Sequence, residues 1–159
     1  GEPGYLERHV LPCLSEGAIR AGRPAGDVDV IVPVTTIVGD TDEQRDASRE
    51  LARASLSFYG STPNYAFIWD EAGFEGTTSR IRAKQKSGDF AGMAAEITDE
   101  HLAVFCTEAN WDDLADRLIE TYGGTANRLV LYSAGTADAQ TLEQYGTVAR
   151  TISERSAAG

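Results

Sequence analysis

Val28-Asp29-Val30-Ile31-Val32-Pro33-Val34-Thr35-Thr36-Ile37-Val38 is the stretch that decides the fold class. Nearly all of it is β-branched, which suits a strand. The run is almost continuously apolar rather than alternating, the pattern of a strand buried on both faces of a parallel sheet. Pro33 has no N–H for a ladder, so a bulge or local break is expected there. Gly39-Asp40 ends the strand and Thr41 opens a helix. Thr41 and Gln44 have capping-box spacing, and Asp42 and Glu43 suit the positive end of the helix. This helix is expected to run to about Phe58, with Ala47, Leu51, Ala54 and Phe58 facing the core. Strand, short turn and capped helix make a β/α unit.

Upstream, Tyr5 to Ala21 reads as a helix with Leu6, Val10, Cys13, Leu14 and Gly17 as its buried stripe. Pro12 should kink or split it, and Gly22-Arg23-Pro24-Ala25-Gly26 forms a loop. Downstream, Tyr59 to Gly88 is irregular. It holds Gly60-Ser61-Thr62-Pro63-Asn64, the aromatics Tyr65, Phe67, Trp69 and Phe74, and a basic helix-like stretch from Arg80 to Lys86. Such an insertion is either satellite packing or a pocket wall. Short helices follow at Phe90 to Ile97 and, capped by Thr98, from Asp99 to about Val104.

Phe105 to Ala109 is a short strand. Asn110 is expected to cap the next helix, whose stripe is Leu114, Leu118 and Tyr122, with Gly123-Gly124 as its stop. Arg128 to Ser133 is a third strand. The last helix covers about Ala137 to Arg155, with Leu142, Tyr145, Val148, Ala149 and Ile152 inward. Three strands alternate with helices and none is close enough to the next for a hairpin. Three parallel strands leave an open sheet with two raw edges, which proteins normally cover or pair.

The chain has 159 residues, the size of one domain, and a net charge of −11 that excludes a basic nucleic-acid-binding face and disfavours an anionic membrane. No apolar run approaches the ~20 residues that span a bilayer. Two distant cysteines, Cys13 and Cys106, make no disulfide framework, so a soluble protein in a reducing cytoplasm is expected.

Few side chains suggest chemistry. His9, Cys13, His101 and Cys106 include metal-ligating types, but the tight Cys pairing of a zinc site is absent, so no metal is expected. No catalytic residue is assigned. Asp42–Glu43, Asp99–Glu100 and Asp112–Asp113 each fall in a first helical turn, where acidic residues offset the helix dipole. Glu108-Ala109-Asn110-Trp111 joins a strand to a helix start. Free N–H groups make such a turn a place for an anion, although every β/α unit has such a turn and, taken alone, an ordinary cap explains it better.

The order of these segments carries a resemblance. Tyr5-Leu6-Glu7-Arg8-His9-Val10-Leu11-Pro12, Ala21-Gly22-Arg23, Val34 to Asp42 and Phe58-Tyr59-Gly60-Ser61-Thr62-Pro63-Asn64-Tyr65 come first. Trp111 to Leu118, Tyr122-Gly123-Gly124 and Arg128-Leu129-Val130 follow. Together they resemble the luciferase-like monooxygenase superfamily, most closely its F420-dependent oxidoreductase branch of actinobacterial type.

That resemblance implies a (β/α)8 TIM barrel of about twice this length. The chain would be a helix-rich partial barrel domain over residues 1–159, with strands six to eight and a variable insertion at about 59–104. It implies hydride transfer with coenzyme F420, or FMN, acting on a small-molecule substrate. The partner would be the N-terminal barrel half, and the half alone would be inactive; the alternative reading is a non-catalytic interaction module derived from that fold, a homo-oligomer in which the open sheet edge is buried against a second copy. The positions where family members place a glycine, then Ser or Thr and often Pro, after strand seven are Ala109, Asn110 and Trp111, the implied cofactor contacts. Tyr65, Arg80 and Arg82 in the insertion are the implied substrate contacts.

Overall fold

A computed structural model describes residues 2–157. In chain order it contains α1 (Pro3–Tyr5), a π-turn (Leu6–Val10), α2 (Leu11–Arg20), β1 (Ile31–Val38), α3 (Asp42–Gly60), a 3-10 turn (Pro63–Tyr65) and α4 (Ala66–Glu71). Then come α5 (Thr77–Lys86), α6 (Phe90–Ala95), α7 (Asp99–Phe105), β2 (Cys106–Ala109), α8 (Leu114–Tyr122), β3 (Arg128–Leu131), a 3-10 turn (Tyr132–Thr136) and α9 (Ala139–Ala157). The chain forms two compact units, one of residues 1–38 with 107–159 and one of residues 39–106.

The first unit is built on a three-stranded sheet of order β2-β1-β3, with β1 and β3 parallel in the register Ile31↔Arg128 to Val34↔Leu131. The central strand is therefore β1. Consecutive barrel strands six, seven and eight would have put β2 in the middle. A local clasp fixes the observed β1–β3 pair: the Asn127 side-chain oxygen accepts from Val30 N–H at 2.8 Å, and Val30 C=O accepts from Asn127 N–H at 2.9 Å.

Pro33 causes no break, contrary to expectation, and β1 runs through it. Val30 and Thr36 both turn their backbone groups towards β3. By the two-residue alternation of a strand, the Pro33 nitrogen faces away from β3, whose ladder with β1 needs no donor there.

Burial of β1 is also not two-sided throughout. Val32 and Val34 pack with Leu114 and Leu118 of α8 and Tyr145 and Val148 of α9. On the opposite face Ile31 is 54% exposed and Val130, opposite the exposed Pro33, is 48% exposed. Only the end of the strand, Thr36 to Val38, is buried residue after residue.

The helix around Pro12 is continuous rather than broken. A π-turn precedes the proline, with Leu11 N–H bonded to Leu6 C=O, and this widening relieves the clash a proline makes with the turn before it. The extra residue shifts the stripe. Leu6, Val10, Leu14 and Ala18 lie inward at steps of four, leaving Cys13 and Gly17, expected inside, exposed. In α9, Tyr145 and Val148 are buried as expected, whereas Leu142 and Ala149 are exposed.

The second unit is helical throughout, so the stretch read as irregular holds α4 and α5. The α3 capping box forms as read, Thr41 Oγ1 accepting from Gln44 N–H and the Gln44 side chain accepting from Thr41 N–H. The facing of α3 is reversed: Ala47, Leu51, Ala54 and Phe58 are all exposed, while Ala52, Ser57 and Gly60 are buried. The core of this unit is a ring cluster. Trp69 meets Phe105 edge-on at 4.6 Å, and Phe74 stacks on His101 at 4.0 Å. Gly60 permits this packing, because a Cβ there would lie 2.9 Å from Ile81 Cδ1 and 3.0 Å from Trp69 Cζ2.

Candidate functional site

In parallel α/β sheets, ligands bind beyond the carboxyl ends of the strands. At the end of β1 the buried Thr36 hydroxyl lies 2.6 Å from the Tyr145 hydroxyl of α9. Ser133, just after β3, accepts from Thr36 N–H at 3.1 Å and donates to Thr36 C=O at 3.3 Å. Trp111, just after β2, meets the Tyr145 ring edge-on at 4.9 Å. The three strand ends thus converge on Tyr145. Burial pushes its phenol above the ordinary value of 10.0, against the opposing influence of the Thr36 and Ser133 hydrogen bonds. Tyr145 is a neutral hydrogen-bonding group, not a base. Its pairing with Thr36 spans 109 residues, and only its inward position was visible in the sequence.

The implied cofactor contacts lie in this unit. Ala109 ends β2, and Ala109 and Trp111 are half-buried against the core. Asn110 is exposed and does not cap the helix. Helix α8 starts four residues later at Leu114 with Asp113 at its cap, because residues 111–113 form a turn first. Asp113 N–H bonds to Asn110 C=O at 3.3 Å. Asp112 and Asp113 flank the helix start, and Cys106 to Asp116 contains no Lys or Arg. The turn supplies two carboxylates and no cation of its own, and Arg155, which reaches the start of α8, is paired there with Asp116, so the side chains do not favour a phosphate group.

The implied substrate contacts lie in the second unit. Tyr65 closes a 3-10 turn and is exposed. Arg80 donates to Glu96 at 3.0 Å, to Thr77 Oγ1 at 3.0 Å and to Glu75 C=O at 3.1 Å. Arg82 donates to Ser61 C=O at 3.3 Å. Both guanidinium groups hold helices of their own unit together.

The same unit has an open cleft of about 460 Å³ bordered by Glu50, Arg53, Ala94, Ile97, Asp99 and Glu100. Arg53 bridges it, bonding to Ile97 C=O, Asp99 and Glu50.

The metal-type residues do not converge. His9 packs on Tyr5 and Cys13 is exposed. Among the described residues no three His, Cys, Asp or Glu side chains gather in a metal-binding group. His101 is a buried cap instead. Its Nδ1 accepts from Thr98 N–H at 3.1 Å, which leaves Nε2 to donate to Thr77 Oγ1 at 3.2 Å. Burial first, then Arg80 and Arg53, push its pKa below 6.5, with Glu100 and Glu96 opposing. No described helix is long and apolar enough to cross a membrane.

Two Mycobacterium tuberculosis proteins, from strains CDC 1551 and H37Rv, and one from Mycobacterium bovis are similar to this chain. Each is an uncharacterised protein, 28% identical over 126 residues. The match takes in 79% of this chain but 37% of each relative, so the chain spans well under half the length of the proteins it matches. The sequence profile of the luciferase-like monooxygenase family matches residues 1–128. That match takes in most of the chain: this protein is a member of the luciferase-like monooxygenases.

Proposed function

We propose that this chain is the C-terminal part of a luciferase-like oxidoreductase barrel that needs a complementary N-terminal part to act. The observation that carries this reading is the bare apolar sheet face bearing Ile31, Pro33 and Val130. Parallel sheets are covered on both faces, and in a barrel the second face is the filled interior.

Flavin or F420 cofactors are the family's general equipment. We assign hydride transfer with a deazaflavin of the F420 type to the completed enzyme, with FMN as the alternative. Ala109, Asn110 and Trp111 would border the uncharged part of that cofactor, since the side chains of the turn do not favour its phosphate. Tyr65, Arg80 and Arg82 are proposed to face the small-molecule substrate. The 39–106 unit contains the variable insertion at about 59–104.

Titrating the chain with F420 and with FMN, following cofactor fluorescence, tests this reading. The chain alone is expected to leave the signal unchanged up to about 100 μM cofactor. Addition of the N-terminal segment of a matching mycobacterial relative should restore saturable binding. Failure of every such pairing, with both parts folded, would overturn it.

A further inference from the structure

Helix α5 is the positive stretch of an acidic chain. Gly76 to Gly88 holds Arg80, Arg82, Lys84 and Lys86 and no Asp or Glu. Elsewhere carboxylates are close at hand, since Asp and Glu outnumber Lys and Arg 25 to 14. Among the described residues every Lys and Arg except Arg82, Lys86 and Arg150 is paired with a carboxylate. Within α5 itself Arg80 is held by Glu96 and Lys84 by Asp89. Arg82 and Lys86 are left, four residues apart and therefore neighbours on one face of the helix.

Helix electrostatics accounts for only part of this. A cation in the last turn offsets the helix dipole, which suits Lys84 and Lys86. Arg82 lies before that turn and is half-buried. Withdrawing a guanidinium from water without a counter-charge is costly. Yet among the described residues its hydrogen bond goes to a neutral acceptor, Ser61 C=O at 3.3 Å. One N–H is spent there, and the rest of the planar fork remains for a second acceptor.

The wall beside this pair is uncharged. Gln85 donates to Ser61 Oγ at 3.4 Å, so Arg82 and Gln85 together set α5 against the turn that follows α3. Ala54 to Trp69, which includes that turn, contains no Asp, Glu, Lys or Arg. Thr62, Asn64 and Tyr65 are exposed on it. An incoming anion meets two cations here and no carboxylate from the turn. The guanidinium fork matches the paired oxygens of a carboxylate or phosphate, and a lysine adds a mobile point charge.

We infer that Arg82 and Lys86 form a subsite for an oxyanion of the substrate, a carboxylate or a phosphate, beside the uncharged turn after α3. This rests on the reading above that the helical unit faces the substrate, and it gives that substrate an acidic group.

The test uses the chain alone, so it needs neither cofactor nor an N-terminal part. Failure of complementation would leave its result standing, and its own failure would leave the barrel reading intact. Sodium phosphate and sodium acetate are titrated at constant ionic strength, following the Arg82 Nε–Hε and Lys86 amide signals by proton–nitrogen NMR. Saturable shifts with a dissociation constant of about 1–10 mM are expected for at least one anion, and the tighter names the group. The Nε–Hε signal of Arg150, the third cation without a carboxylate, should stay in place. Arg82→Gln should weaken binding at least about tenfold and Lys86→Gln about threefold. Shifts that do not saturate, that appear equally at Arg150 or that persist unchanged in both variants would overturn the inference. So would binding of heparin without either small anion, the mark of a polyanion surface. If Arg82→Gln fails to fold, Lys86→Glu decides, since reversing that exposed charge should abolish binding by itself.

Discussion

The Tyr145 hydroxyl lies 2.6 Å from the Thr36 hydroxyl in the buried interior of the sheet unit, joining α9 to the end of β1. A buried pair of this kind contributes about 1 kcal/mol, and removing one partner leaves the other without a bond. Tyr145→Phe and Thr36→Val are each expected to lower stability by about 1–2 kcal/mol. The double variant should cost less than the sum, because the second change removes the orphan left by the first. Urea unfolding at constant m-value measures the three differences.

The same tyrosine gives an alkaline limit. Its folded pKa is raised above 10.0, so the unfolded chain releases this proton first. The contribution is fully present below pH 10.0 and is lost as pH rises through the folded value. Urea midpoints measured upward from pH 9 should fall for the parent chain more steeply than for Tyr145→Phe. Parallel slopes would contradict the buried, protonated phenol.

His101 sets an acid limit by the opposite sign. Its folded pKa lies below 6.5, so the unfolded chain takes up the proton first. Its contribution is present above pH 6.5 and is lost as pH falls from there through the folded value. His101→Gln keeps an acceptor for Thr98 N–H and should remove this pH dependence while retaining the α7 cap. His101→Ala loses cap and ring packing together, at a cost of about 2 kcal/mol or more. Thermal melts at pH 5 and pH 7.5 compare the three chains.

Gly60→Ala tests the close approach in the helical unit. Helix propensity favours alanine by about 1 kcal/mol, but its Cβ would lie 2.9 Å from Ile81 Cδ1. Overpacking is expected to win, with a net loss of about 1–2 kcal/mol. A raised melting temperature would show that Trp69 and Ile81 yield more easily than their packing implies.

Val130→Lys tests the bare sheet face. Val130 is half exposed, so the change should alter the stability of the chain by less than about 0.5 kcal/mol. Binding of a hydrophobic dye should fall, and complementation by an N-terminal barrel segment should be lost, since a charge would then enter a barrel interior. Unimpaired complementation would place that segment elsewhere.

Much of the local structure was legible in the sequence. Thr41 and Gln44 lie three residues apart and bond reciprocally, so spacing alone specifies the cap. The β-branched run becomes β1, and Gly123 follows α8. The turn after β2 was legible only as a location: Trp111 rests on Tyr145, and the helix begins after Asp113 rather than at Asn110. Its Asp112 and Asp113 were read as favourable to the helix end, and the same charges weigh against a phosphate there.

What the sequence determined by itself is therefore the set of elements, their caps and the family pattern, because those rest on interactions within a few residues. The tertiary structure decided the facing and the order. Ala47, Leu51, Ala54 and Phe58 form an apolar stripe in any environment, but burial of a stripe depends on what packs against it, and here Ala52, Ser57 and Gly60 take that place. The pairing of β1 with β3 is held by the clasp of Val30 with Asn127, 97 residues away. No periodicity in a strand records its neighbour, so strand order is settled only when distant backbone groups meet.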